Sequence, residues 1–452
     1  MELSLATRRT DESASRRVAA RPARRWVGAT VFWLVSRAVM AFVLIHGVLT
    51  PGGDHWTRSG YLTGDLTVHY WPAAQHLVAG QVPYLSFPYE YPPGSLPFLA
   101  VARWLGHSPA TFAVAWVALM VLLDGCVAVA LARRVGRSVA RGEAGPSTSA
   151  AALWLWLGAT VLMGPLCLAR NDLIVAAAFL GGFLLLAGGR PVRGGAMWAF
   201  AVLAKIWPVV PLAVWPIGRR RGSVRMLVAA VGVLAATAVV LAFVGALGPM
   251  VQSLAGYHGD RPLEIESSWA VGLMLVASAH GLVLHQVNSF GSFNLAATGV
   301  PAVVQRVAYL LTELVQVLAV AVAVLLRARR RAELSFATIA WLSLATVAAG
   351  LTVAPVLSPQ YELWVIACAC AVLTVDDGPL TRWLIGLVAA SALGSQLDFP
   401  YLFHRLQSQR ALALVVTSMR DVLLLVIAVV AALATWRSAQ SPPPTSRIAP
   451  VT

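Results

Sequence analysis

The run WVGATVFWLVSRAVMAFVLIHGVL, residues 26–49, decides what kind of molecule this chain is. A helix crossing a hydrocarbon core about 30 Å thick needs ~20 mostly apolar residues, and this run has the length and the composition. It is longer than the apolar part of a secretory signal, and no A-x-A cleavage site precedes Pro51, so it is expected to stay in place as a membrane helix. Arg8, Arg9, Arg16, Arg17, Arg21, Arg24 and Arg25 stand before it. By the positive-inside tendency they keep the N-terminus cytoplasmic, and residues 1–25, with almost no apolar periodicity, are expected to form a disordered basic arm.

Outward from this run the same kind of window recurs to the far end. Of 452 residues, 58% are hydrophobic and only 12% charged, and the mean hydropathy is +0.74, which places the chain in the membrane class. Spans are expected near 109–132, 150–168, 173–188, 225–247, 304–326, 334–355, 361–375, 381–397 and 412–435. The segment 195–217 differs from these. Arg190 and Arg193 precede it, Arg219, Arg220 and Arg221 follow it, and Lys205, Pro208, Pro211 and Pro216 interrupt it. It reads as a helical hairpin that enters and leaves on the cytoplasmic side. The alternative, a single crossing paired with another at 269–286, would put Arg219 to Arg221 outside.

The expected fold is therefore all-α, a polytopic transmembrane helical bundle of about ten to twelve membrane helices. The transmembrane domain spans 26–436, with a structured first outer loop at 50–108 and a Pro-rich, disordered cytoplasmic tail at 437–452. A second outer loop, 248–303, carries Asp260, Glu264 and Glu266, and its marginal apolar stretch 269–284 is expected to lie along the membrane or dip into it.

The formal charge of +15 comes from arginines clustered between apolar windows. That pattern fits membrane topology and not a nucleic-acid surface. Cys126, Cys167, Cys368 and Cys370 all lie in apolar windows, so neither a disulfide framework nor a metal site is expected. With no P-loop, dinucleotide fingerprint, H-E-x-x-H or G-x-S-x-G in a credible context, a nucleotide-driven pump is disfavoured and no cofactor is expected.

The first outer loop holds GYLTGDLTVHYWPAAQHLVAGQVPYLSFPYEYPPGSLP, residues 60–97. Asp65 precedes what looks like a short helix, Leu66 to Tyr70, and has two readings: an N-cap, or a general base tuned by desolvation and a nearby arginine. Asp172, after Arg170 and Asn171, is a second carboxylate on the same face with the same two readings. Lys205, the only lysine of the chain, is either a partner for a lipid phosphate or a snorkelling side chain in a broken helix. Tyr84, Tyr89, Tyr91 and Trp71 are aromatic-belt residues or ligand-stacking rings. Arg37, Asp124 and Glu313 fall within apolar helices and need partners or a wet cavity.

In order, Asp65-Leu-x-Val-x-Tyr70, Ala73-Ala74, Leu77, Gly80, Pro83-Tyr84 and Tyr89-x-Tyr91-Pro92-Pro93 resemble the family 87 membrane glycosyltransferases of the GT-C superfamily. The similarity continues through Asn171-Asp172, the segment from Gly194 to Pro208 with Lys205, and Leu357-Ser358-Pro359-Gln360-Tyr361 with Trp364. The resemblance implies an inverting, metal-independent hexosyltransferase of the plasma membrane with an extracytoplasmic active site. Its donor would be a polyprenyl-phosphate sugar, usually mannose, and its acceptor a glycolipid or lipoglycan. The resemblance makes Asp65 the general base. The chemistry of that role offers Lys205, Arg170 and Arg37, in that order, as cations facing the leaving phosphate, and Asn171, Asp172, His69, Tyr91, Gln360 and Tyr361 are expected as substrate contacts. Where members acting on phosphatidylinositol mannosides tend to show histidines after the late Ser-Pro, this chain has Gln360-Tyr361-Glu362. The competing readings are a lipid-linked sugar flippase using the intramembrane charges, and a non-catalytic assembly partner that would tolerate alanine at Asp65 and Asp172.

Overall fold

A chain this apolar must satisfy its backbone groups within each segment, and helices do so without water. The computed structural model describes residues 2–49, 59–140, 146–219, 222–259 and 261–440. Among them, six helices are long and apolar enough to cross a membrane: Trp26–Leu49, Pro109–Gly136, Ser223–Phe243, Val300–Arg330, Phe336–Val353 and Ala411–Gln440. Asp172–Ala187 and Glu362–Leu373 are shorter and apolar on all sides, the mark of an interior helix. Every residue of Glu362–Leu373 is buried. The first helix begins at Glu2, but the side chains of residues 1–25 lie outside the described residues, and so does the expectation of a disordered arm. Asp54, Asp260, Arg220, Arg221 and the chain after Gln440 are also outside them. The last helix runs to Gln440, a few residues past the expected start of the tail.

The interrupted segment is a hairpin. Pro191–Ala204 runs beside Asp172–Ala187, where Trp198 Nε1 donates to the Phe179 carbonyl at 2.8 Å. On its other flank it lies so close to Ser223–Phe243 that a Cβ on Gly195 would stand 2.2 Å from the Met226 carbonyl oxygen, the small-residue packing used where helices meet in lipid. The helix ends at Lys205, which is extended at φ −163° and ψ 143°. Val209–Gly218 then returns, packing Trp215 against Trp198 and Phe183 at 5.5 and 6.0 Å between ring centroids. The two feet meet at one end of the bundle. Gly222 sits against Pro191, the Gly218 carbonyl accepts from Leu334 N–H at 2.8 Å, and Arg219 pairs with Glu333 at 3.4 Å. The alternative crossing at 269–286 is not formed. Ser268–Ala279 is 12 residues long, and the chain beyond it is tied to the start of the last helix by a pair of hydrogen bonds between Leu284 and Gln409.

Two further points differ from the sequence reading. The second outer loop folds a β-ribbon, β1 (Gln286–Ser289) with β2 (Ser292–Leu295), in the register Gln286↔Leu295 to Ser289↔Ser292. Its two-residue turn, Phe290-Gly291, has φ of 55° and 69°, the positive pair that matches the twist of a tight hairpin. Arg37 is also not available to a ligand phosphate. Its Nε and Nη2 donate to Asp124 at 2.8 and 3.1 Å, and Trp33 and Trp156 donate to the same carboxylate. This buried cross-brace ties Glu2–Leu49, Pro109–Ala140 and Pro146–Met163 together and meets the need for partners at Arg37 and Asp124. Glu313 instead lies on the exposed flank of Val300–Arg330.

Candidate active site

The end of the bundle away from the hairpin feet encloses a cavity of about 660 Å³. Its polar floor comprises Asp65, Arg170, Lys205, Arg261, Glu264 and Glu266, and its walls carry Tyr91, Tyr361, Trp364, Phe293 and Phe399. The side of the cavity between Val209–Gly218, Val300–Arg330 and Phe336–Val353 is lined by Val210, Pro211, Val347 and Leu351, with the polar Thr312 and Gln316 among them.

Asp65 reaches the floor through a local irregularity. Ser59–Gly64, Asp65–Tyr70 and Trp71–Val78 form one continuous helical run whose middle turn is widened, with Gly64 and Tyr70 both in right-handed helical backbone. Asp65 is thus inside a helix and caps nothing, and such widened turns are frequent at functional sites. The buried face of this turn is Leu66 and Tyr70. Tyr70 stacks near Trp116 at 4.9 Å between ring centroids, and its hydroxyl accepts from Asn171 N–H at 3.2 Å. Asp65 and His69, four residues apart, are left facing the cavity. The Asp65 carboxylate forms an ion pair with Arg170 Nη1. Arg170 lies in the extended link before Asp172–Ala187, with its guanidinium 6.0 Å from the Phe399 ring. Burial pushes that guanidinium down to about 10, against the pull of Asp172, Glu266 and Glu264, which leaves it a cation at neutral pH.

Lys205 sits at the tip of the hairpin. Its Nζ donates to Asp172 Oδ1 at 2.8 Å and stands 4.2, 4.8 and 5.8 Å from the ring centroids of Tyr361, Trp364 and Tyr91. An ammonium has three donors, so the tip is held by one carboxylate and a partial aromatic cage while still facing the cavity. The first outer loop supports this tip from above. Tyr84 Oη donates to the Tyr91 carbonyl at 2.7 Å and Tyr89 Oη bonds Ser95 Oγ at 2.6 Å. Gly94 lies so near the tip that a Cβ there would stand 2.6 Å from Ala204 N and the Leu203 carbonyl carbon. The tyrosine-proline stretch is therefore a wall with one ring, Tyr91, turned to the cavity.

Of the residues singled out in the sequence, Asp65, His69, Tyr91, Arg170, Lys205, Gln360 and Tyr361 all line this one cavity. Asn171 and Asp172 do not. Both are 2% exposed and lie behind the wall. Asp172 begins its helix without capping it, and its Oδ1 takes Trp364 Nε1 at 2.8 Å as well as Lys205. The sequence reading assigned no role to Arg261, Glu264 and Glu266, although the acidic pair two residues apart in an outer loop was visible. Arg261 Nη2 donates to Glu264 at 3.0 Å, and Ser358 Oγ donates to the same carboxylate at 2.9 Å. Behind them Arg420 joins Asp398, Asp421 and the Glu266 carbonyl at 2.9, 2.8 and 2.5 Å.

The fold defines an integral membrane protein, and the cavity sets carboxylates and cations beside a mostly apolar side. The chain belongs to glycosyltransferase family 87, whose family model matches residues 89–359, more than half of its length. It is a membrane glycosyltransferase. The match takes in Tyr91, Arg170, Lys205 and the acidic wall and begins after Asp65 and His69. A search of curated proteins returned no match.

Proposed function

We propose that the protein transfers a sugar, mannose in the first instance, from a polyprenyl-phosphate donor to a glycolipid or lipoglycan acceptor. The reading rests on one observation: a first-loop carboxylate and the hairpin lysine line the same cavity, one side of which is mostly apolar. Asp65, ionised and oriented by Arg170, takes the proton of the acceptor hydroxyl as its oxygen attacks the anomeric carbon. The sugar–phosphate bond breaks with inversion, and polyprenyl phosphate departs with the bonding electrons. Lys205, backed by Arg261, neutralises the charge that develops on that phosphate. The isoprenoid chain lies along the mostly apolar side, between Val209–Gly218 and Val300–Arg330. His69, Tyr91, Gln360 and Tyr361 contact the sugar or the acceptor, while Asp172 acts on the substrate only through Lys205.

The extracytoplasmic, plasma-membrane placement draws support from charge. The hairpin feet at the end opposite the cavity carry Arg190, Arg193 and Arg219, as expected of a cytoplasmic end. The test is transfer of labelled mannose from polyprenyl-phosphate mannose to membrane lipid by the purified chain. Asp65→Asn is expected to lower the rate by about a hundred to ten thousand-fold, the range of a positioned base, with folded protein retained. Full activity in that variant removes Asp65 as the base, and transbilayer movement of the lipid without a new glycosidic bond removes the reaction.

A further inference from the structure

One carboxyl group of the acidic wall has incomplete hydrogen bonding. Glu264 is fully engaged by Arg261 and Ser358. Glu266, two residues on, also lines the cavity and is only 5% exposed, yet its Oε1 is buried with no hydrogen-bond partner. Its backbone is fixed on both sides. Arg420 Nη2 donates to its carbonyl at 2.5 Å, and Ser267 caps the following helix, accepting from Ala270 N–H at 3.3 Å. The side chain therefore has little freedom to seek a partner elsewhere. Buried polar atoms are almost always paired, so an unpaired oxygen on a side chain that lines the cavity points to a ligand group.

The charges around Glu266 say what form that carboxyl takes. Asp398 faces it from the turn before the last helix, Glu264 from its own stretch, Arg420 from the last helix and Arg170 from the link beside Asp65. Burial first, then Asp398 and Glu264, push it well above the usual carboxylate range, in the direction that favours the protonated form. A neutral carboxyl donates one hydrogen bond and accepts others, and a sugar hydroxyl asks for both.

We propose that Glu266 reads a hydroxyl of the transferred sugar, exchanging hydrogen bonds with it from the wall of the cavity that it lines together with Asp65 and Arg170. This rests on the glycosyl-transfer reading of the cavity and makes Glu266 a specificity-determining residue, with the polyprenyl-phosphate hexose as its ligand class.

The experiment measures binding of polyprenyl-phosphate mannose and of bare polyprenyl phosphate of equal chain length to the full chain in detergent. The wild type is expected to bind the sugar-bearing lipid more tightly. Glu266→Gln keeps a donor and an acceptor in the same shape and should hold that preference within about threefold. Glu266→Leu, or Glu266→Ala should the leucine variant not fold, should reduce it about tenfold, the size of one hydrogen bond, with bare polyprenyl phosphate unaffected. The inference is overturned if the wild type shows no preference, if the leucine variant keeps it, if the glutamine variant loses as much as the leucine one, or if both lipids weaken together. A transfer assay on the same samples separates the two ideas. A preference that behaves as expected without transfer overturns glycosyl transfer and leaves sugar reading in place.

Discussion

Neutralising Asp172 distinguishes a side chain that holds Lys205 from one that touches substrate. The pair is 2.8 Å apart, with side-chain exposures of 2% for Asp172 and 14% for Lys205. At an effective dielectric of about 20, the attraction at that distance is about 6 kcal/mol, much of it offset by the loss of hydration on both sides. Breaking one partner of a buried pair typically costs about 3–5 kcal/mol. The cavity-facing side of Lys205 relieves part of this, so Asp172→Asn is expected near the lower figure. Mid-sized domains lose about 2–4 °C per kcal/mol. For a chain of this size the expected drop is roughly 5 °C, read by thermal melting in detergent. Lys205→Met should cost a similar amount, because it leaves the Asp172 carboxylate with only Trp364. The double variant Asp172→Asn with Lys205→Met should then cost much less than the sum, since neither charge of the pair remains. Melting of Asp172→Asn at the wild-type temperature, or strict additivity in the double variant, refutes the positioning role.

Gly94→Ala places a methyl against the backbone of Leu203 and Ala204, which cannot move without moving Lys205. A stability loss of about 1–3 kcal/mol with a parallel fall in binding of bare polyprenyl phosphate is expected in the same melting and binding measurements. Arg37→Met strands Asp124 within the cross-brace. It should cost about 3–5 kcal/mol while polyprenyl-phosphate affinity of the folded fraction stays unchanged, since Arg37 does not reach the cavity. Glu266 gives a pH signature. Its carboxyl is raised in the fold above an unfolded value of about 4.3, so the fold binds the extra proton. Its contribution is complete below that value and is lost as pH rises through the folded value. The wild-type melting temperature should therefore fall relative to that of Glu266→Gln as pH is raised above about 4.3, and a gap that does not vary with pH contradicts this.

The elements readable in the sequence were those fixed by local pattern. The apolar windows and the arginines between them gave the helical bundle, and a lone Lys205 between proline-broken halves with basic flanks gave the hairpin. Asp65 and Lys205 were legible because each is chemically out of place in its surroundings. Properties that depend on partners distant in the chain were not. Arg37 looked free until Asp124 came to meet it. Asp172 looked exposed by its place next to Arg170 and Asn171, yet Trp364 and the hairpin tip close over it. Glu264 and Glu266 carry no signal of burial in an outer loop, because Ser358 and Arg420, which enclose them, come from much later in the chain. The β-ribbon escaped notice because its strands have four residues each, too few for alternation to stand out.

The return of the hairpin to the end it left has a consequence for biogenesis. Its limbs have 14 and 10 residues, about 21 and 15 Å at 1.5 Å per residue, so neither can bridge a bilayer on its own. The first limb can settle only once Asp172–Ala187 offers a surface, Ser223–Phe243 then closes its other flank, and the second limb packs on Val300–Arg330. Because the segment returns to the end it left, it leaves the parity of the chain untouched, and the helices after it keep their orientation. Errors at this stage would yield a correctly threaded protein, with every other loop on its proper side and only the lysine missing from its place.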